Sequence, residues 1–139
     1  MAGTDDLDLA NIWLFSTCSR RELRSIRRAL DEVWVAAGRV LCEEGSIGRE
    51  FFLIVNGTAA VRAKNRYVAT LGPGGYFGEL ALLDRRPRSA TVVSQTDMDL
   101  LVLGQRQFNA VLESVPAMTR KLLAAMATRL READARAFH

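Results

Sequence analysis

Apolar positions change their rhythm twice along this 139-residue chain. In the first thirty residues they fall at helical spacing. Leu9, Ile12 and Trp13 mark a short helical segment within Leu7 to Leu14, and Leu23, Ile26, Leu30 and Val33 then recur every three to four residues, as one buried helix face requires. Ser19 stands three residues ahead of Glu22, the spacing at which each side chain satisfies the other's backbone N–H. A helix is therefore predicted over about Ser19 to Leu30. From Asp31 to Leu103 the apolar residues come instead in short runs, at Val33-Trp34-Val35, Arg39-Val40-Leu41, Phe51 to Val55, Ala59-Ala60-Val61, Tyr67-Val68-Ala69, Thr91-Val92-Val93 and Leu100 to Leu103. Gly38, Gly45, Gly48, Asn56-Gly57, Asn65 and Gly72-Pro73-Gly74-Gly75 separate them. Short strands punctuated by turn residues predict an antiparallel sandwich or barrel, and Asn56-Gly57 between two runs predicts a hairpin. After Gly104 the helical spacing returns. Phe108, Val111 and Leu112 predict a helix ending near Ser114. Pro116 suits the first turn of another, whose apolar stripe, Met118, Leu122, Leu123, Met126 and Leu130, runs on to about Ala135.

The length suits one domain spanning residues 1–139, helical over 1–30, strand-rich over 31–104 and helical again over 105–139. Apolar residues at 49% and charged residues at 25% exclude a disordered chain. A net charge of +3 is too small to imply direct nucleic-acid binding. The five arginines Arg20, Arg21, Arg24, Arg27 and Arg28 read as the polar face of an amphipathic helix rather than a nucleic-acid surface. Cys18 and Cys42 match no metal-ligand spacing and read as reduced, packed thiols. The single histidine, His139, argues against a histidine-rich metal site and leaves Ser-His-Asp or Cys-His chemistry with only a terminal base. No metal, cofactor or catalytic residue is expected. Met1 to Asp8 is acidic, without a signal pattern, and no apolar run approaches the roughly 20 residues of a spanning helix, so the expected location is cytoplasmic and away from membranes.

Residues 77 to 91, Phe77-Gly78-Glu79-Leu80-Ala81-Leu82-Leu83-Asp84-Arg85-Arg86-Pro87-Arg88-Ser89-Ala90-Thr91, carry the candidate chemistry. Gly78 lets backbone approach a ligand closely. Glu79 can accept a hydrogen bond from a sugar hydroxyl, and the turn that begins there offers free N–H groups to an anion. Arg88 brings a planar fork of donors matched to phosphate oxygens, Ser89 adds a hydroxyl, and Ala90 leaves room. The glycines from Gly72 to Gly78 are not a dinucleotide fingerprint, because the third falls one residue late and no long helix follows.

This stretch resembles the phosphate-binding cassette of the cyclic-nucleotide-binding domain family, the type found in cAMP receptors and protein kinase A regulatory subunits. The pattern F-G-E-[LI]-[AS]-L, followed after a gap by R-[STA]-A, is met throughout, and Gly38, Gly45, Gly57 and the segment Phe51 to Gly57 fall where the family's pattern expects them. The resemblance implies a mainly β fold, an antiparallel, jelly-roll-like β-roll of about eight strands between N-terminal helices and two C-terminal helices. It further implies that Glu79 meets the ribose 2′-hydroxyl and that Arg88 and Ser89 meet the cyclic phosphate, assisted by Gly78, Ala90 and the backbone of Leu80 and Ala81. A residue of the last helix, Leu122, Met126 or Arg129, would cap the base. The expected ligand is cAMP, with cGMP as the other candidate, sensed by a regulatory module that repositions its C-terminal helices. A homodimer through the last helix, or an effector domain or protein, is the expected partner. The competing readings are a ligand-free relative serving as an interaction or dimerisation module and, more remotely, a cyclic-nucleotide phosphodiesterase.

Overall fold

The computed structural model describes residues 9–137. Met1 to Asp8, Phe138 and His139 lie outside the described residues. Two short 3₁₀ turns, Leu9–Asn11 and Trp13–Phe15, occupy the first predicted segment. The reciprocal cap then forms as its spacing predicts. The Glu22 N–H donates to Ser19 Oγ at 3.1 Å, and the Ser19 N–H donates to Glu22 Oε1 at 2.8 Å, opening helix α1 (Arg20–Ala29).

Each of the predicted apolar runs becomes a strand: β1 (Asp31–Val35), β2 (Val40–Cys42), β3 (Glu50–Asn56), β4 (Ala59–Ala63), β5 (Arg66–Leu71), β7 (Thr91–Ser94) and β8 (Met98–Gly104). The further strand, β6 (Tyr76–Phe77), is only two residues long and leaves no apolar run to read. After it come α2 (Glu79–Asp84), α3 (Gln105–Ser114) and α4 (Pro116–Ala137). The strands form two four-stranded antiparallel sheets, ordered β1-β8-β3-β6 and β2-β7-β4-β5. This is the β-roll with flanking helices that the sequence predicts.

Burial explains why β3 and β8 read as unbroken apolar runs. Along β3, Phe51 and Leu53 face a core shared with Leu14, Phe15, Ile26, Phe108 and Met118, while Phe52 and Ile54 face the roll's interior. Along β8, Leu101 and Leu103 face the helices, and Leu100 and Val102 face inward. A strand covered on both faces has no polar side to alternate with.

One expectation is corrected. Asn56-Gly57 is not a hairpin turn, because β3 and β4 belong to different sheets. Gly57 carries the chain between them in the left-handed region (φ 94°), and a Cβ there would collide with the Asp97 carbonyl. The tight hairpin joins β4 to β5. Ala63 pairs with Arg66, and Lys64 and Asn65 both take positive φ (53° and 63°), the geometry of a type I′ turn.

Candidate functional site

β6 delivers the chain to Gly78, whose φ of 95° is left-handed. A Cβ at Gly78 would lie 2.6 Å from the Glu50 carbonyl oxygen and 2.8 Å from Arg88 Nη1, so the position needs glycine twice over, for conformation and for space. The chain makes the short helix α2 and leaves it through Arg85, itself left-handed (φ 57°). The Arg86 N–H donates to Asp84 Oδ1 at 3.0 Å in the returning turn. Arg88 is then fixed at both ends. Its backbone N–H donates to the Ser46 carbonyl (2.7 Å), and its carbonyl accepts from the Gly45 N–H (2.8 Å). Its Nη1 donates to the Gly78 carbonyl (2.9 Å) and its Nη2 to the Glu50 carbonyl (2.8 Å). Gly48 packs so closely behind that a Cβ there would sit 2.5 Å from Arg88 Cζ and 2.7 Å from Ala81 Cβ. Arg88 is 8% exposed as a residue, and its guanidinium keeps further N–H donors beyond the two engaged with carbonyls.

Glu79 opens α2 and is 3% exposed. Its Oε1 lies 3.3 Å from Nη1 of Arg129 on α4, a side chain 56% exposed. Its Oε2 is buried and accepts no hydrogen bond, a condition that native structures rarely leave unresolved. Glu79 and Arg88 line one cavity of about 380 Å³ together with Ser89 and Arg129. Val61, Val68, Ala69 and Leu71 of β4 and β5 supply an apolar wall. Burial pushes the Cys42 thiol at this cavity up to about 11, with Glu50 and Glu79 adding to the rise and Arg88 opposing it. The Tyr76 phenol is also raised, first by burial and then by Glu79, against Arg129. Both groups therefore stay neutral at neutral pH.

Gly78, Glu79, Leu80, Ala81, Arg88, Ser89 and Ala90, the predicted site residues, all line this cavity. The three candidates for a base cap separate. Arg129 reaches the cavity, with its Cζ also 6.0 Å from the centre of the Tyr76 ring. Leu122 does not, being 2% exposed and packed in the helical core beside Phe15 and Phe108, and Met126 does not line the cavity either. Residues seven apart share a helix face but stand about 10 Å apart along the axis, so one stripe of α4 serves the core at Leu122 and the cavity at Arg129. Sequence reasoning missed the apolar wall and Tyr76. Alternate positions on adjoining β-strands were the available signal, but it does not say which face meets a ligand. Among the described residues no cluster of His, Cys, Asp or Glu could hold a metal, and no helix is long and apolar enough to cross a membrane.

Known proteins resemble this chain in sequence and in fold. The chain is 39% identical over 108 residues to a cyclic nucleotide-gated potassium channel of Mesorhizobium japonicum, covering 78% of this chain and 30% of the channel. It is 36% identical over 115 residues to a cAMP-dependent protein kinase regulatory subunit of Aspergillus fumigatus, covering 81% of this chain and 28% of that protein. The chain thus spans about a third of either relative. In three dimensions it matches the Thermus thermophilus catabolite activator protein with a TM-score of 0.82 and 31% identity, over 88% of this chain and 60% of that one. The family model described as the cyclic nucleotide-binding domain matches residues 32–115, which take in the β-roll from β1 onward, Gly78, Glu79 and Arg88. With that match spanning more than half of the chain, the protein belongs to the cyclic nucleotide-binding domain family.

Proposed function

We propose that the cavity between α2, β4–β5 and Arg129 binds a cyclic nucleotide, cAMP in preference to cGMP, and that the chain is a single regulatory domain rather than an enzyme. The observation that carries this reading is the buried, unpartnered Oε2 of Glu79, which lines the same cavity as the fixed guanidinium of Arg88. A ribose 2′-hydroxyl would supply the donor that this oxygen lacks. The remaining N–H groups of Arg88, the Ser89 hydroxyl and the N–H groups that open α2 would meet the cyclic phosphate. A cavity of about 380 Å³ falls within the range of small-ligand pockets. Val61, Val68, Ala69 and Leu71 would receive the base. Such a wall covers adenine but offers no partner to guanine's additional polar groups, and burying those unpaired is costly. The name of the Aspergillus relative, a cAMP-dependent regulatory subunit, points the same way.

The output would run through α4. Arg129 ties that helix to Glu79, the carboxylate that the ligand is proposed to share, so ligand binding biases α4 between positions. Beyond Leu122, α4 exposes Leu123 and Leu130, seven residues apart on one face, and pairing of this stripe with a second copy is the proposed route to a homodimer. Calorimetric titration with cAMP and cGMP tests the reading. Saturable one-site heat for cAMP, with cGMP about tenfold weaker or ~1.4 kcal/mol, is expected. Absence of binding by both nucleotides at millimolar concentration overturns it.

A further inference from the structure

A second and larger cavity, about 700 Å³, shares Ala81 with the first and also includes Gly48, the residue packed against Arg88. It contains neither Glu79 nor Ser89 and is a different site. Its apolar surface comes from Ala81, Pro87 and Ile47, the last 76% exposed. Arg49, Arg85, Arg86 and Arg106 surround that surface, and no Asp or Glu lines it. Among the described residues none of these four guanidinium groups has a carboxylate at ion-pair distance. The first turn of α3, which opens onto the same cavity through Gln105, Arg106 and Gln107, has neither an acidic residue nor a capping side chain, so the positive end of its dipole adds to the field. Arg85 holds its place in a left-handed conformation (φ 57°), where glycine or asparagine costs less. Concave, low-dielectric walls lined by one sign of charge concentrate the field and draw in the opposite sign.

We propose that this groove docks an acidic segment of a partner protein, an Asp- and Glu-bearing peptide with an apolar anchor residue. The four arginine heads are exposed and distributed around the groove, which suits several carboxylates spaced along a chain rather than one phosphate group. The exposed Ile47 and the Pro87 and Ala81 surface suit an apolar side chain between those carboxylates. The proposal stands independently of what the first cavity binds.

Selection of a displayed library of random 12-residue peptides on the full chain, followed by anisotropy titration of the selected peptides, tests this. The selected peptides are expected to carry Asp and Glu around one or two apolar residues. They should bind the Arg86→Glu/Arg106→Glu variant about tenfold more weakly, the sum of two rim charge pairs. They should bind Ile47→Ser several-fold more weakly and should bind Arg24→Glu/Arg28→Glu, altered on α1, as they bind the parent. Circular dichroism establishes that each variant is folded. Should the double reversal fail to fold, Arg86→Gln and Arg106→Gln singly are expected to cost about threefold each. Selected peptides without an acidic excess, or with affinity indifferent to Arg86, Arg106 and Ile47, overturn the proposal. So does a loss that follows the α1 variant instead. A twelve-nucleotide oligo-dT that binds more tightly than the peptides, with the same dependence on Arg86 and Arg106, would make the groove a nucleic-acid surface and overturn it equally.

Discussion

Arg88→Ala should damage stability and ligand binding by separable amounts, because the side chain holds two carbonyls and is proposed to hold the ligand's phosphate as well. In the free protein it donates to the Gly78 and Glu50 carbonyls at 2.9 and 2.8 Å. Hydrogen bonds from a charged donor contribute roughly 1.5–3 kcal/mol each. The lower figure applies here, since Arg88 borders open cavities from which water can reach the abandoned carbonyls. The expected loss is about 3 kcal/mol of folding free energy, a large share of the 5–15 kcal/mol typical of a domain. It should lower the Tm by about 10 °C for a chain of this size. The phosphate contact is a further loss, about tenfold or more in cyclic-nucleotide affinity measured below the melting temperature. Urea unfolding followed by circular dichroism reads the first quantity and calorimetry with cAMP the second. Arg85→Ala, on an exposed side chain, should alter neither. An unchanged urea midpoint for Arg88→Ala refutes the carbonyl contacts as structural supports. An affinity within twofold of the parent refutes the phosphate contact, whatever happens to stability.

Glu79→Gln should weaken cAMP about tenfold and a 2′-deoxy analogue far less, since carboxylate and hydroxyl are the two halves of one proposed interaction; additive losses in calorimetry would show that Glu79 does not meet the ribose. Gly78→Ala should cost at least about 1–2 kcal/mol from its left-handed backbone alone, readable in urea, and should displace Arg88 enough to abolish binding. Burial holds the Cys42 thiol protonated to about 11 against an ordinary 9.0. A raised acid contributes stability below the unfolded value and loses it as pH climbs from 9 towards 11, here by about 2 kcal/mol. The fall in urea midpoint between about pH 8.5 and 10.5 should therefore be smaller in Cys42→Ala than in the parent, and equal falls would refute the cause.

The cassette was legible because it is contiguous. Fifteen consecutive residues hold the glycine, the carboxylate and the arginine, and local chemistry assigns each an interaction before any fold is known. The helices were legible through capping and periodicity, as Ser19 and Glu22 illustrate. What failed depended on distant partners. Asn56-Gly57 has the composition of a hairpin, yet the need to pass close to Asp97 in the neighbouring β7–β8 connection decides its role. The Arg129 to Glu79 contact joins residues fifty positions apart, and the single stripe of α4 carries no mark of where the core ends and the cavity begins. β6, two residues long, is a strand only because β3 lies beside it.

The sheet with β3 and β8 at its centre is a partition wall between two rooms, and neither room has another wall on that side. Phe51, Leu53, Leu101 and Leu103 are lined up against α3, α4 and the N-terminal turns, so a fragment stopped at Gly104 would retain every strand and the whole cassette yet lose Phe108, Val111, Val115, Met118 and Leu122 from the core that covers those four side chains. Trimming the chain to its β-roll is therefore not a route to a minimal nucleotide sensor. An engineer wishing to shorten it should begin beyond Leu130, past the residues of α4 that line the cavity or extend its apolar stripe.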